Sequence, residues 1–154
     1  MNLLDANDIQ GAYPESWYAA TTDTLPPCPP LEVDTRADVC VIGAGFTGLS
    51  AALHLAQAGR DVVLIDAHRV GFGASGRNGG QLGSGQRVEQ PYLEKMLGHD
   101  DALKLWDLGQ DSKALVKGLI KEHNIDCYLR PGIAWSASTK SDVDELHQYA
   151  EHMD

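Results

Sequence analysis

The sequence predicts an α/β fold, built on one βαβ unit that leads into the start of a second, α+β domain. Three observations predict it. Residues 37–42 and 61–66 are short runs rich in β-branched and apolar residues, the signature of parallel strands covered on both faces. Residues 47–58, between them, carry apolar side chains at helical spacing. A glycine turn, Gly43 to Gly48, joins the first run to that helix.

Residues 1–36 read as a lead-in segment. They contain Tyr13-Pro14-Glu15-Ser16-Trp17-Tyr18 and the stretch Pro26-Pro27-Cys28-Pro29-Pro30, which favours extended chain. Tyr13, Trp17 and Tyr18 are costly to leave in water and are expected to pack on the body; a loose tail with chance aromatics is the alternative. The first strand runs from Ala37 to Ile42, with Cys40 as a small core residue. On the helix, Leu49, Leu53 and Ala56 form the expected buried face, with Ala52 and Leu55 beside it, and Gly59 stops it. Residues 37–87 are thus expected to form the βαβ unit and its glycine-rich loop. Residues 88–154 are expected to form a helical segment and the beginning of a second domain, incomplete at Asp154. Within them the pattern predicts helices at 88–97, 99–123 and from Ser141 to about Met153. Leu103, Trp106, Leu115 and Leu119 mark the stripe of the longest one. Cys127–Arg130 and Ile133–Ser136 read as short strands broken at Pro131-Gly132, in the manner of a hairpin.

Composition excludes several function classes. Twelve basic residues against 22 acidic ones give a formal charge of −10, which repels nucleic acid and anionic lipid. No nucleic-acid partner is expected, and the acidity reads as solubility. Three cysteines, Cys28, Cys40 and Cys127, do not make a disulfide framework and fit a reducing, cytoplasmic setting. No basic cap and apolar stretch opens the chain, so no signal peptide is expected. Val39 to Gly59 lacks formal charge over 21 residues, but glycines and polar residues dilute it, and no membrane span is expected. His147 and His152 lack metal-ligand spacing, and no metal site is expected.

The chemistry lies in Gly43-Ala44-Gly45-Phe46-Thr47-Gly48. Gly43 permits a tight turn, Gly45 lets a pyrophosphate approach the backbone, and Gly48 lets the helix pack closely on the sheet. Free amides at the start of the helix, near Phe46 and Thr47, then face the negative phosphates. Asp66 ends the second strand, 23 residues beyond Gly43, where it can accept hydrogen bonds from ribose hydroxyls; Ala67 follows it. The unit therefore reads as Rossmann-like and dinucleotide-binding. Seven glycines lie between Gly71 and Gly85, a density that costs backbone entropy and is interrupted by Phe72, Arg77, Asn78 and Gln81. Such a stretch can lie along a long cofactor such as FAD. Ser75 and Asn78 are placed to hydrogen-bond to it, and Arg77 to neutralise phosphate or sit near the flavin N1–C2 region. An ordinary surface arginine is the alternative for Arg77.

These strings resemble the D-amino-acid-oxidase-like superfamily of FAD-dependent oxidoreductases, which includes glycine and sarcosine oxidases. Within it the chain is most similar to the gamma-glutamylputrescine oxidoreductase family. The resemblance rests on Tyr13–Thr21, Ala37–Leu49, Arg69–Gln81 and Leu129–Gly132, and runs through nearly the whole chain. It implies FAD as cofactor and a small-molecule amine and oxygen as partners. It implies oxidation of a C–N bond, hydrolysis of the imine, and reoxidation of the flavin by oxygen to give hydrogen peroxide. For that family the substrate is gamma-glutamylputrescine, in putrescine breakdown. By family role, Gly43, Gly45 and Gly48 serve the pyrophosphate turn, Asp66 the ribose, and Ser75, Arg77, Asn78 and Gly79 the flavin side. Family members run to roughly 400 residues, so 154 residues are expected to be the N-terminal part and not to turn over alone. No catalytic acid, base or nucleophile is expected among them. An NAD-dependent dehydrogenase domain and an inactive truncated FAD-binding product are the alternatives.

Overall fold

The computed structural model describes residues 8–153; residues 1–7 of the lead-in and Asp154 lie outside the described residues. The chain divides into two compact units between Gly79 and Gly80. No helix among the described residues is long and apolar enough to cross a membrane.

The first unit contains helix α1 (Trp17–Thr21), strand β1 (Val39–Ile42), helix α2 (Phe46–Gln57) and strand β2 (Val62–Ile65). The strands pair in parallel, Val39 opposite Val62 through Ile42 opposite Ile65. A parallel pair needs a crossover, and α2 supplies it. Gly59 takes φ +79° just after the helix, the left-handed conformation that ends it. The expected strands and helix are therefore present within two residues of their expected bounds.

Which faces are buried differs from expectation in two places. Val39 and Val41 are half-buried, but Cys40 is exposed and Ile42 is 82% exposed. Cys40 is not a core residue. The reason is geometric: α2 packs on both strands, and side chains alternate across a strand, so only one face of β1 is covered. On α2 the half-buried side is Gly48, Ala52 and Leu55, whereas Leu49 and Leu53 are each 37% exposed. The glycine, not the leucines, sets the contact line. A Cβ on Gly48 would lie 1.8 Å from the Gly43 carbonyl oxygen and 3.3 Å from Val41 Cγ1, so the helix rests directly on the turn backbone.

The lead-in is tied down by side-chain contacts. The Tyr13 hydroxyl donates to the Val70 carbonyl at 3.0 Å, and Arg69 lies 4.5 Å from the Tyr13 ring centroid. Arg69 also donates to the carbonyls of Gly11 and Leu25. Tyr18 is half-buried, but Trp17, expected to pack, is 76% exposed. It lies on α1, a short helix whose N-cap Ser16 accepts from the Ala19 amide at 3.2 Å. That cap turns the Tyr13–Tyr18 string out of extended chain and points Trp17 to solvent.

The second unit holds helices α3 (Gln90–Leu97), α4 (His99–Glu122) and α5 (Lys140–Met153). Gly98 separates α3 from α4 with φ +84°, and the two helices pack on each other. The inward face of α4 runs through Ala102, Leu105, Trp106 and Gly109; Leu103 and Leu115, placed on the stripe by their spacing, are each 44% exposed. Thr139 and Asp142 cap α5: the Asp142 carboxylate accepts from the Ser138 and Thr139 amides at 2.9 Å each. The Thr139 hydroxyl, and then those two amides, hold its carboxyl below the usual carboxylate range. The expected strands at Cys127–Arg130 and Ile133–Ser136 do not form. Tyr128 adopts φ +51°, which breaks an extended run, and no neighbouring strand pairs with either segment. Gly132 still takes the turn conformation, at φ +85°.

Gly48→Ala is expected to destabilise the first unit by about 1–3 kcal/mol, because the added methyl meets backbone that cannot step aside. Chemical denaturation measures it, and an unchanged unfolding midpoint would show that the helix does not rest on the turn.

Candidate functional site

The turn between β1 and α2 is closed from both ends. Gly43 donates its amide to the Ile65 carbonyl at 2.8 Å and takes φ +104°, a conformation other residues rarely adopt. Ala44 is 1% exposed. Its amide donates to Asp66 Oδ2 at 2.6 Å, and its carbonyl accepts from the Gly71 amide at 2.8 Å. The glycine turn, the tip of β2 and the second glycine-rich stretch therefore converge on one residue.

Gly45 is the N-cap of α2, with extended backbone and no side chain to cap the helix. The first turn of α2 carries no acidic residue. The amides of that first turn form an electropositive end that suits an anion. Ser75 stands beside it: its Oγ accepts from the Phe46 amide at 2.9 Å, and a Cβ on Gly45 would lie 3.0 Å from that oxygen. Apart from Ser75 Oγ and the adjoining chain, no atom lies within 4 Å of that added carbon, so no bulky side chain covers Gly45. Phe46 and Thr47 are exposed on the solvent side of the helix start.

Asp66 is brought to the turn, with both carboxylate oxygens engaged. Oδ1 accepts from the His68 amide at 2.7 Å, and Oδ2 from Ala44. Each oxygen retains lone-pair capacity for a hydroxyl donor. Ala67, next in the chain, is exposed. The second stretch contains a 3₁₀ turn, Ala74–Gly76, which presents Ser75 to α2. Asn78 Nδ2 donates to the carbonyls of Ala74 and Ser75, at 3.2 and 2.8 Å, and so braces this turn. Arg77 Nε donates to the Phe72 carbonyl at 3.0 Å, and its NH2 group donates to Asp8 Oδ1 at 2.9 Å. Gly79 is exposed at the end of the unit.

The structure thus gathers Gly43, Gly45, Phe46, Gly48, Asp66 and Ser75 around one opening. Asn78 supports the turn that carries Ser75, and Arg77 is bonded within its own loop and to the lead-in. Sequence reasoning did not single out Ala44, Gly71, His68 or Asp8. Ala44 and Gly71 act through backbone atoms, which residue type does not reveal. His68 stacks on Phe72 with ring centroids 4.2 Å apart and planes 9° apart, and Phe72 is only 8% exposed. Among the described residues no group of three or more His, Cys, Asp or Glu side chains is arranged to hold a metal ion.

The architecture is a βαβ arrangement consistent with part of a Rossmann-like unit, and comparison with known proteins gives its family. The model described as FAD dependent oxidoreductase (DAO) matches residues 38–154. The chain belongs to that family. It is 50% identical over 117 residues to a probable oxidoreductase, OrdL, of Rhizobium meliloti (strain 1021), covering 76% of this chain and 27% of that protein. It is 42% identical over 137 residues to the gamma-glutamylputrescine oxidoreductase of Escherichia coli (strain K12), covering 89% of this chain and 32% of the relative. Mitochondrial dimethylglycine dehydrogenase of Rattus norvegicus is 32% identical over 122 residues, 79% of this chain and 13% of that protein. The chain therefore spans about a third or less of these relatives' length. No solved structure matches.

Asp66→Ala is expected to destabilise the first unit by about 1–3 kcal/mol, because the Ala44 amide is buried and would lose its acceptor. Urea unfolding of the variant measures this, and a loss well below 1 kcal/mol would mean that water replaces the carboxylate freely.

Proposed function

We propose that this chain is the nucleotide-binding part of an FAD-dependent oxidoreductase that oxidises a C–N bond of a small amine. One observation carries the reading: the second glycine-rich stretch folds back onto the first, through Gly71 to Ala44 and Ser75 to Phe46. A cradle closed in this way has a use for a long cofactor that spans both stretches.

FAD fits the residues. The gap over Gly45 admits a pyrophosphate, the amides of α2 meet its charge, and Asp66 stands at the sugar end. In this reading Ser75 turns its hydroxyl to a phosphate oxygen, and Asn78 and Gly79 shape the loop along the flavin side. Arg77 contributes positive charge to the pyrophosphate. Asp66 disfavours a 2′-phosphate by charge repulsion, which sets NADP aside. When bound, FAD supplies the two-electron acceptor for amine oxidation. Oxygen as the final acceptor, with hydrogen peroxide as product, completes the proposal.

Gamma-glutamylputrescine is the substrate we favour, on the strength of the Escherichia coli relative's name and its 42% identity. The name of the dimethylglycine dehydrogenase relative likewise points to a substrate with a carbon–nitrogen bond. Substrate turnover belongs to the whole protein; the residues described here bind and orient the cofactor.

Titration of the full-length apoprotein with FAD and with NAD tests the reading. FAD is expected to bind more tightly, with quenching of its fluorescence, and tighter binding of NAD would overturn the assignment. Gly45→Val is expected to weaken FAD binding at least about 100-fold, since the branched side chain fills the space over the turn. Unchanged affinity in that variant would remove the pyrophosphate from this turn.

A further inference from the structure

Arg77 is positioned from within its own loop. Its Nε donates to the Phe72 carbonyl at 3.0 Å, and its guanidinium carbon lies 4.7 Å from the Phe72 ring centroid. Phe72 is buried and stacked on His68. These uncharged contacts hold the guanidinium without any anionic partner. The contact with Asp8 is of another kind. It is a charge-assisted hydrogen bond at 2.9 Å with a residue 69 positions earlier in the chain, and it neutralises the one Lys or Arg between Gly71 and Gly85.

The pair is also exchangeable. The Arg77 side chain is 38% exposed and that of Asp8 15%, so water reaches the guanidinium side of the pair and screens it in part. A pyrophosphate carries more negative charge than a carboxylate and matches a guanidinium's paired donors. Arg77 follows directly on the 3₁₀ turn whose Ser75 accepts from the first amide of α2, so the loop that carries the cation is tied to that helix end.

We propose that Asp8 is an affinity-determining residue, an internal carboxylate that holds Arg77 until the anionic cofactor takes it. The proposal rests on the FAD reading above. It makes the lead-in a competitor of the cofactor for one guanidinium, not a support for it.

Asp8→Asn keeps the side chain's size and removes its charge. In the full-length apoprotein, fluorescence titration is expected to show FAD binding about 3- to 10-fold tighter than wild type, the scale of a modest coupling between sites. In an Arg77→Gln background the same change is expected to have no effect. Weaker or unchanged binding in Asp8→Asn would overturn the proposal, as would a gain that persists without Arg77. Wild-type protein offers a second readout that needs no variant: hydrogen exchange of the amides around Asp8 is expected to speed up when FAD is added. Unchanged or slower exchange there would equally overturn it. Loss of FAD binding in Gly45→Val, alongside a silent Asp8→Asn, would sink this inference and leave the cofactor site standing. Undiminished binding in Gly45→Val would remove the site itself.

Discussion

The hydrogen bond from the Ala44 amide to the Asp66 carboxylate organises the first unit. It joins the end of one strand to the turn that follows the other, at a residue 1% exposed to solvent. A buried amide needs an acceptor, and a carboxylate is a strong one. Meeting that need places an acidic group beside the free amides of α2. The same bond therefore serves stability and sets up the polarity of the opening: donors at the helix start, acceptors at the strand end.

Around this bond the backbone comes unusually close to itself. Gly48 lets α2 rest on the Gly43 carbonyl, and Gly71 bonds back to Ala44. The second glycine-rich stretch then behaves as a folded loop, not a spacer, because Phe72 anchors it between His68 and Arg77. Arg69 and Tyr13 fasten the lead-in to the start of that loop. A chain with the same glycines but without Phe72 would lose the ring on which His68 and Arg77 both rest.

Much of this was legible in the sequence, and the failures have physical causes. Element positions in the first unit follow from local signals, such as the β-branched runs and the stop at Gly59, so they came out within two residues. The buried face of a strand or helix depends on what covers it, which is not local. Cys40 and Ile42 look like core residues by type but lie on the uncovered side of a two-stranded sheet. Leu49 and Leu53 look like the contact line of α2, yet the line runs through Gly48, where closeness outweighs apolar area. Residues 127–136 have strand-like composition, but a strand needs a partner, and Tyr128 takes a left-handed conformation instead. The gathering of Asp66, Ser75 and the glycine turn was readable because motif spacing carries it. The Asp8–Arg77 pair was not, because no spacing rule connects residues 69 apart.

The central claim is that the opening over Gly45 receives linked phosphates while Asp66 faces the sugar. A crystal structure of the full-length protein with FAD tests it most directly. The account predicts pyrophosphate oxygens within hydrogen-bond distance of the first amides of α2 and a ribose hydroxyl on Asp66. A cofactor whose phosphates lie away from that helix end, with Asp66 bonded only to Ala44 and His68, would contradict it.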